Sequence, residues 1–353
     1  FFGQGDIVPN APSVTLERRF GDCKDKSVVL ASLLRAAGVP AHVVLLKSGV
    51  GTDVNPEVPG IGSFNHMIVH VPGEGLWLDA TAEFLGASDA PYENSGRWAL
   101  VIGAPEHSLM QTPAAQPAGS REVEQRIVRL ADIGPGEVQV LTRINGSDAA
   151  VYRQLADRDS KEHREDLLEQ FRESFSAKSV SGFEVREDAA HGGVSIAVDL
   201  HHVEAAATNL QESGIVMSLA DLFAKLPYGL RSKPAAGTGQ SDAAGSASRP
   251  ETRTLDWVFQ PFISEMEVRV FPPSGFKLRS VPASVESMFG PLVLTQSYRE
   301  EADGSLAGTI RANSMRGRYT ADEGRALREA YLAAESSLLL AVRFDHESWR
   351  LAR

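Results

Sequence analysis

The chain's one cysteine, Cys23, opens a predicted helix, and that position constrains the first part of the fold more than any other feature. Behind Gly21-Asp22-Cys23-Lys24-Asp25-Lys26 runs a line at helical spacing: Cys23, Ser27, Leu30, Leu33, Leu34 and Ala37. Asp22 is placed to cap this helix, expected over Cys23 to Ala37, and Gly38 to stop it. A helix N-terminus carries partial positive charge and unpaired N–H groups, so it favours thiolate over thiol. A lone cysteine is more often an inert buried thiol. Here the charged neighbours Lys24, Asp25 and Lys26 argue against an apolar setting.

Two strands follow, Asn65 to Val71 and Leu76 to Thr81, joined by Pro72-Gly73-Glu74-Gly75. A two-residue loop at Gly73-Glu74 sets Pro72 opposite Gly75, with Gly73 serving the tight turn. His66 then faces Thr81 and Asp79 faces Ile68, so His66 and Asp79 share a face one diagonal step apart. A slip of one residue would separate them. If the helical line packs on the face bearing His66, thiol and imidazole meet. The His can then hold the thiol proton and the Asp can orient the His. Taken singly, His66 reads as a strand histidine and Asp79 as a turn carboxylate; the pairing gives both their weight. His70, on the same face, is the competing base.

These residues carry a resemblance. Gly21 to Lys26, Leu33-Leu34-Arg35-Ala36-Ala37-Gly38, Phe64-Asn65-His66 and Trp77-Leu78-Asp79-Ala80-Thr81 resemble the transglutaminase-like superfamily. The similarity is strongest to a bacterial branch whose core lies between two β-rich domains. It implies an α+β fold: a papain-like core with the Cys-bearing helix packed on an antiparallel sheet, then a β-rich domain with a C-terminal helix. It implies Cys23 as nucleophile, His66 as general base and Asp79 as orienting carboxylate. It also implies a peptide or protein substrate and an exported, periplasmic location. Phe271 to Phe276 and Arg318 to Glu323 are similar to the β-rich domain that follows the core. The branch's amino-terminal β domain is missing from this sequence, which begins at Phe1 without Met, so a fragment or processed product is expected.

The rest of the chain organises around this core. Residues 1–18, rich in Gly and Pro, read as an extended approach; Ala41 to Lys47 and Trp98 to Ile102 read as strands. The aperiodic loop from Ser48 to Ser63 is placed to border the cleft. The Pro- and Ala-rich stretch 111–120 separates a core over 1–110 from a β-rich domain over 119–353. In that domain, alternating runs at Glu137 to Arg143, Val194 to Leu200 and Glu267 to Phe271 predict antiparallel strands. A charged helix is expected from about Ser160 to Ser176, with Leu167, Leu168, Phe171 and Phe175 on its apolar face. Thr320 with Glu323 forms a capping box for a closing helix from Ala321. The Ala-, Gly- and Ser-rich segment 232–249 reads as a mobile surface loop.

Composition removes other classes. With 35 Lys plus Arg against 46 Asp plus Glu the formal charge is −11, and no basic block points to nucleic acid or anionic lipid. No apolar run approaches the roughly 20 residues of a membrane-spanning helix. One cysteine leaves no zinc or redox pair, and His201-His202 would project to opposite strand faces, so no metal is expected. Gly60-Ile61-Gly62 lacks the third glycine and the strand–helix setting of a nucleotide fingerprint, so no cofactor is expected. The functional expectation is cysteine-dependent acyl transfer from an amide, to water or to an amine. The alternative is a non-catalytic binding or scaffold protein of the cell envelope that keeps the fold. The backbone N–H of Cys23 is one oxyanion donor, with Gln4 a candidate for the second. Oligomeric state is left open.

Overall fold

A computed structural model of the chain describes residues 8–51, 53–58, 60–82, 92–103, 109–157, 161–188, 193–232 and 253–350. Segment 233–249 of the expected mobile loop lies outside them, as does Gln4. The chain forms two compact units, and passes from the first to the second between Gln116 and Pro117. The first unit draws on Phe1–Gln116, Pro234–Gln260 and Arg316–Gly324, within the described residues. Two short segments from the expected β-rich domain thus pack with the core.

The first unit opens with helix α1, Pro12–Arg18, which replaces the extended approach expected there. Pro12 occupies the first helical turn, where its missing N–H costs nothing. Helix α2 follows over Cys23–Ala36. The Asp22 side chain accepts from the amides of Lys24 and Asp25, so the expected cap is present. At the other end Gly38 takes φ of 80°, with Val39 N–H bonded to Leu34 and Gly38 N–H to Arg35. This double closure needs a left-handed residue, which glycine adopts at no steric cost.

Five antiparallel strands make the sheet beside α2: β1 His42–Leu46, β2 His66–Val71, β3 Leu76–Leu78, β4 Trp98–Val101 and β5 Leu109–Gln111. Their order is β3-β2-β1-β4-β5. The β2–β3 register pairs Val69 with Leu78, His70 with Trp77 and Val71 with Leu76, the pairing expected from the short connection. The turn itself differs from expectation. The loop has four residues, closed by Gly75 N–H on Pro72 and Glu74 N–H on Val71, and the left-handed position is Gly75 at φ 64°, not Gly73. A longer loop with the same outer pairing keeps the register.

The sheet buries both faces. Val69 and Val71 pack with Ala31 and Ala41, joined by Leu30, Leu34, Leu76 and Leu78, on the side of α2. Ile68, Trp77, Val44, Leu46, Ala99 and Val101 form a second cluster on the other side. By strand alternation His66 belongs with Ile68, so α2 packs on the face opposite the one expected. Leu33 is 55% exposed and leaves the buried helical line, which runs through Cys23, Ser27 and Ala31.

The remaining segments of this unit are tied down by a buried charge network. Trp257–Val258 pairs with Arg318–Tyr319, and Val258 also bridges Gly51. Arg318 reaches the Asp53 carboxylate and the Gly96 carbonyl, and Asp53 accepts the Trp98 amide. Arg97, 1% exposed, donates to the carbonyls of Glu93 and Gly49. Arg253 donates to Gly51 and stacks on Trp257 at 3.9 Å. Buried guanidinium groups are tolerable only when their donors are used, and here backbone carbonyls use them.

The second unit is built on one 11-stranded sheet. It includes β6 Arg121–Arg129, β7 Gly134–Asn145, β8 Ala177–Asp188, β9 Gly193–Thr208 and β10 Glu212–Ser218. Ile263–Phe271 pairs parallel to β6 inside an otherwise antiparallel array, a departure from the expected all-antiparallel pattern. Helix α3, Ser147–Asp157, was not foreseen, whereas α4, Lys161–Ser174, matches the charged helix. Phe171 packs against Ile144, Ala149, Val194 and Ile196, and Phe175 lies under the Arg126 guanidinium at 4.8 Å. The capping box forms, since Thr320 and Glu323 exchange backbone-to-side-chain bonds at the start of Ala321–Ala334. That helix does not close the fold: Leu339–His346 follows it and pairs with β10 and with Phe276–Leu278. No helix among the described residues is long and apolar enough to cross a membrane.

Candidate active site

The thiol sits where α2 meets the end of β2. Gly21 lets the chain turn into the helix at close quarters: a Cβ there would lie 2.6 Å from the Asp25 Cβ. Asp25 is itself buried, and its carboxylate takes the Asn10 amide at 2.7 Å and the Asn10 side chain at 3.1 Å. Ser27, one turn on, donates its hydroxyl to the Met67 carbonyl at 2.8 Å and pins α2 to the first residues of β2. Cys23 is left 9% exposed.

His66 joins the other two groups. Its Nε2 lies 2.7 Å from Asp79 Oδ2, and its imidazole is the main influence that lowers the pKa of the Cys23 thiol. His66 is the first residue of β2, next to Met67, whose carbonyl takes the Ser27 hydroxyl of α2. Asp79 lies just past β3, which ends at Leu78 and so is shorter than expected.

The electrostatics follow from these contacts. The His66 hydrogen bond pulls the Cys23 thiol below its ordinary value; burial opposes this, and the Met67 amide adds to it. Burial alone would push His66 down, but the hydrogen bonds to Asp79 and Cys23 outweigh it and lift the imidazole to about 9. Burial raises Asp79, and the bonds from His66 and Thr81 bring it down to about 2. These contacts favour the charged forms of all three groups, thiolate, imidazolium and carboxylate. Asp22 takes the amides of Lys24 and Asp25, and the Cys23 amide has no partner among the described residues, so it is free to donate beside the sulfur.

Residues 6–81 match the Transglutaminase-like superfamily. The chain carries a transglutaminase-like domain. No curated protein shows a significant match to the sequence. A solved structure described as a "putative protease" from Parabacteroides distasonis aligns at 12% identity and a TM-score of 0.42. It covers 94% of this chain and 45% of that one, so this chain spans under half that structure's length.

Around the transglutaminase-like domain's three groups stand residues the sequence did not reveal. Thr81 gives both its amide, at 2.8 Å, and its hydroxyl, at 2.6 Å, to Asp79 Oδ1. Asn94 Nδ2 donates to Asp79 Oδ2 at 2.8 Å. Thr81 lies within the quoted motif and is findable as an Asx-type turn partner; Asn94 has no local signal at all. His70 is not part of the line: it stacks on Trp77 with centroids 4.2 Å apart, and burial followed by the charge of His42 lowers its pKa.

Other histidines assemble differently. His201 on β9 lies between Ser181 of β8, 2.7 Å from its Nε2, and Glu137 of β7 at Nδ1. That order mimics a serine triad. Yet Ser181 is exposed and His201 and Glu137 only half-buried, and the Asp199 carboxylate lies against Gly182, the residue after Ser181. His202 takes φ of 55° at an irregularity in the β7–β9 pairing, away from His201. Among the described residues no group of three His, Cys, Asp or Glu is placed to hold a metal ion.

Proposed function

We propose that the protein catalyses cysteine-dependent acyl transfer on peptide or protein amides through a thioester on Cys23. The observation that carries this reading is the His66 imidazole, 2.7 Å from the Asp79 carboxylate and acting on the Cys23 thiol to lower its pKa. The Cys23 thiolate attacks the amide carbonyl carbon, and the oxyanion is met by the Cys23 N–H. The His66 imidazolium passes its proton to the amide nitrogen, the C–N bond breaks and the amine departs. Neutral His66 then takes a proton from water or from a primary amine as that nucleophile attacks the thioester. Collapse releases acid or new amide, returns the thiolate and restores the imidazolium. Asp79 holds the ring so that Nδ1 serves the sulfur throughout. Hydrolysis makes the protein a peptidase or amidase, transfer to an amine a transamidase. A periplasmic, exported setting belongs to the same proposal.

The test is turnover of a panel of glutamine-containing peptides, with and without a primary amine, by wild type and Cys23→Ala. Hydrolysis or amine incorporation that depends on Cys23 supports the reading. Equal inertness of both proteins, with an envelope partner bound by both, would replace the enzyme with a scaffold.

A further inference from the structure

We infer that Asn94 is a positioning residue for the proposed reaction, acting through Asp79 to hold His66 in register with Cys23. The inference rests on the acyl-transfer reading of Cys23, His66 and Asp79. Asp79 Oδ1 is occupied by two donors from Thr81, and Oδ2 is shared by His66 Nε2 at 2.7 Å and Asn94 Nδ2 at 2.8 Å. Four donors fill the carboxylate's lone-pair directions, so its plane is fixed. The bond from Asn94 lands on the same oxygen that His66 uses, and so helps to set where that oxygen lies.

The side chain is otherwise poorly served. Asn94 is 2% exposed, and its Oδ1 has no hydrogen-bond partner among the described residues. A buried amide with an orphan carbonyl is destabilising unless something offsets it. Its bond to the ionised Asp79 is the one side-chain hydrogen bond it makes among the described residues. Exchanging O and N would set the carbonyl against the carboxylate, so the donor orientation is required.

The backbone below Asn94 is rigidly held. The Asn94 carbonyl accepts the Thr112 hydroxyl at 2.6 Å, and that hydroxyl accepts the Arg97 amide at 2.8 Å. Arg97 Nε donates to the Glu93 carbonyl at 2.9 Å, one residue before Asn94. A short 3-10 turn, Tyr92–Asn94, is thereby locked to β5 and its exit. A catalytic group is as well placed as the residues that support it.

The test is the pH dependence of Cys23 alkylation by iodoacetamide in wild type, Asn94→Leu and Asn94→Ala, each first shown to unfold cooperatively on heating. Leucine keeps the volume and removes both the donor and the orphan carbonyl. The expected result is a thiolate midpoint moved upward in both variants and alkylation at pH 6 slowed several-fold. In an Asp79→Ala background, Asn94→Leu should add nothing further, as for two groups acting in series. A midpoint equal to or below wild type, or a full further shift without Asp79, would overturn the inference. Wild type lacking a depressed midpoint would instead defeat the acyl-transfer reading, so the two failures are distinguishable.

Discussion

His66 Nε2 lies 2.7 Å from Asp79 Oδ2 while the same imidazole lowers the pKa of the Cys23 thiol, so one ring couples a carboxylate to a nucleophile. The proposed catalysis depends on this coupling.

Removing its members should cost in a fixed order. Cys23→Ala abolishes turnover, because no other thiol exists in the chain. His66→Ala loses both the proton acceptor and the donor to the leaving amine, a loss of about 10²–10⁴-fold. Asp79→Asn costs less, since an amide can still bond the ring but no longer stabilises the imidazolium. Steady-state rates on one susceptible peptide check the ranking, and an Asp79→Asn loss exceeding that of His66→Ala contradicts it.

The pH profile has a direction at each limb. Turnover should fall at high pH as His66, lifted to about 9, loses the proton it gives the leaving amine. Stability follows the same groups. His66 binds its proton more tightly folded than unfolded, so its contribution is full below the ordinary 6.5 and is lost as pH rises through about 9. Asp79 is held down to about 2, so its contribution is full above the ordinary 3.8 and is lost as pH falls toward about 2. Thermal melts of wild type and His66→Gln across pH 6 to 10 should converge at the alkaline end.

Gly21→Ala should destabilise the entry to α2. The added Cβ would come within 2.6 Å of the Asp25 Cβ, a backbone-near contact that a rotamer change cannot relieve. Overpacking of this kind costs about 1–3 kcal/mol. Chemical denaturation would measure it, and an unchanged midpoint would show that the helix start can shift without cost.

Helix bounds and hairpin register were legible in the sequence because their causes are local. Asp22 and Gly38 mark the ends of α2 by chemistry that needs no neighbours, and the short connection from Pro72 to Gly75 sets the pairing of β2 with β3. The turn type was not legible, because Gly73 and Gly75 can both adopt φ above zero and only the closing bonds choose. Nor was the face that α2 covers: Ile68 and Val69 are equally apolar, so β2 offers two buryable sides. Asn94 is bonded to Asp79 across a chain separation of 15 residues, where spacing carries no information. The same holds for Arg318 and Asp53, whose contact joins distant parts of the chain.

That contact gives a fourth expectation. Asp53→Ala would strip the side chain, 4% exposed, from buried Arg97 and from Arg318. Breaking a buried pair from one side costs about 3–5 kcal/mol. A fragment ending at Gln116 loses Arg318, Trp257 and Tyr319 together and should fail to unfold cooperatively. A cooperative melt of that fragment would show that the first unit needs neither later segment.

The most direct measurement on the central claim is a pH titration of thiolate absorbance in the ultraviolet, in wild type and His66→Ala. With one cysteine in the chain, the thiolate part of the signal belongs to Cys23, and Cys23→Ala supplies the tyrosine baseline. The account predicts a wild-type midpoint well below the ordinary value of about 8.5 and a return toward it in His66→Ala. A wild-type midpoint at or above that value, unmoved by loss of His66, would contradict an activated nucleophile.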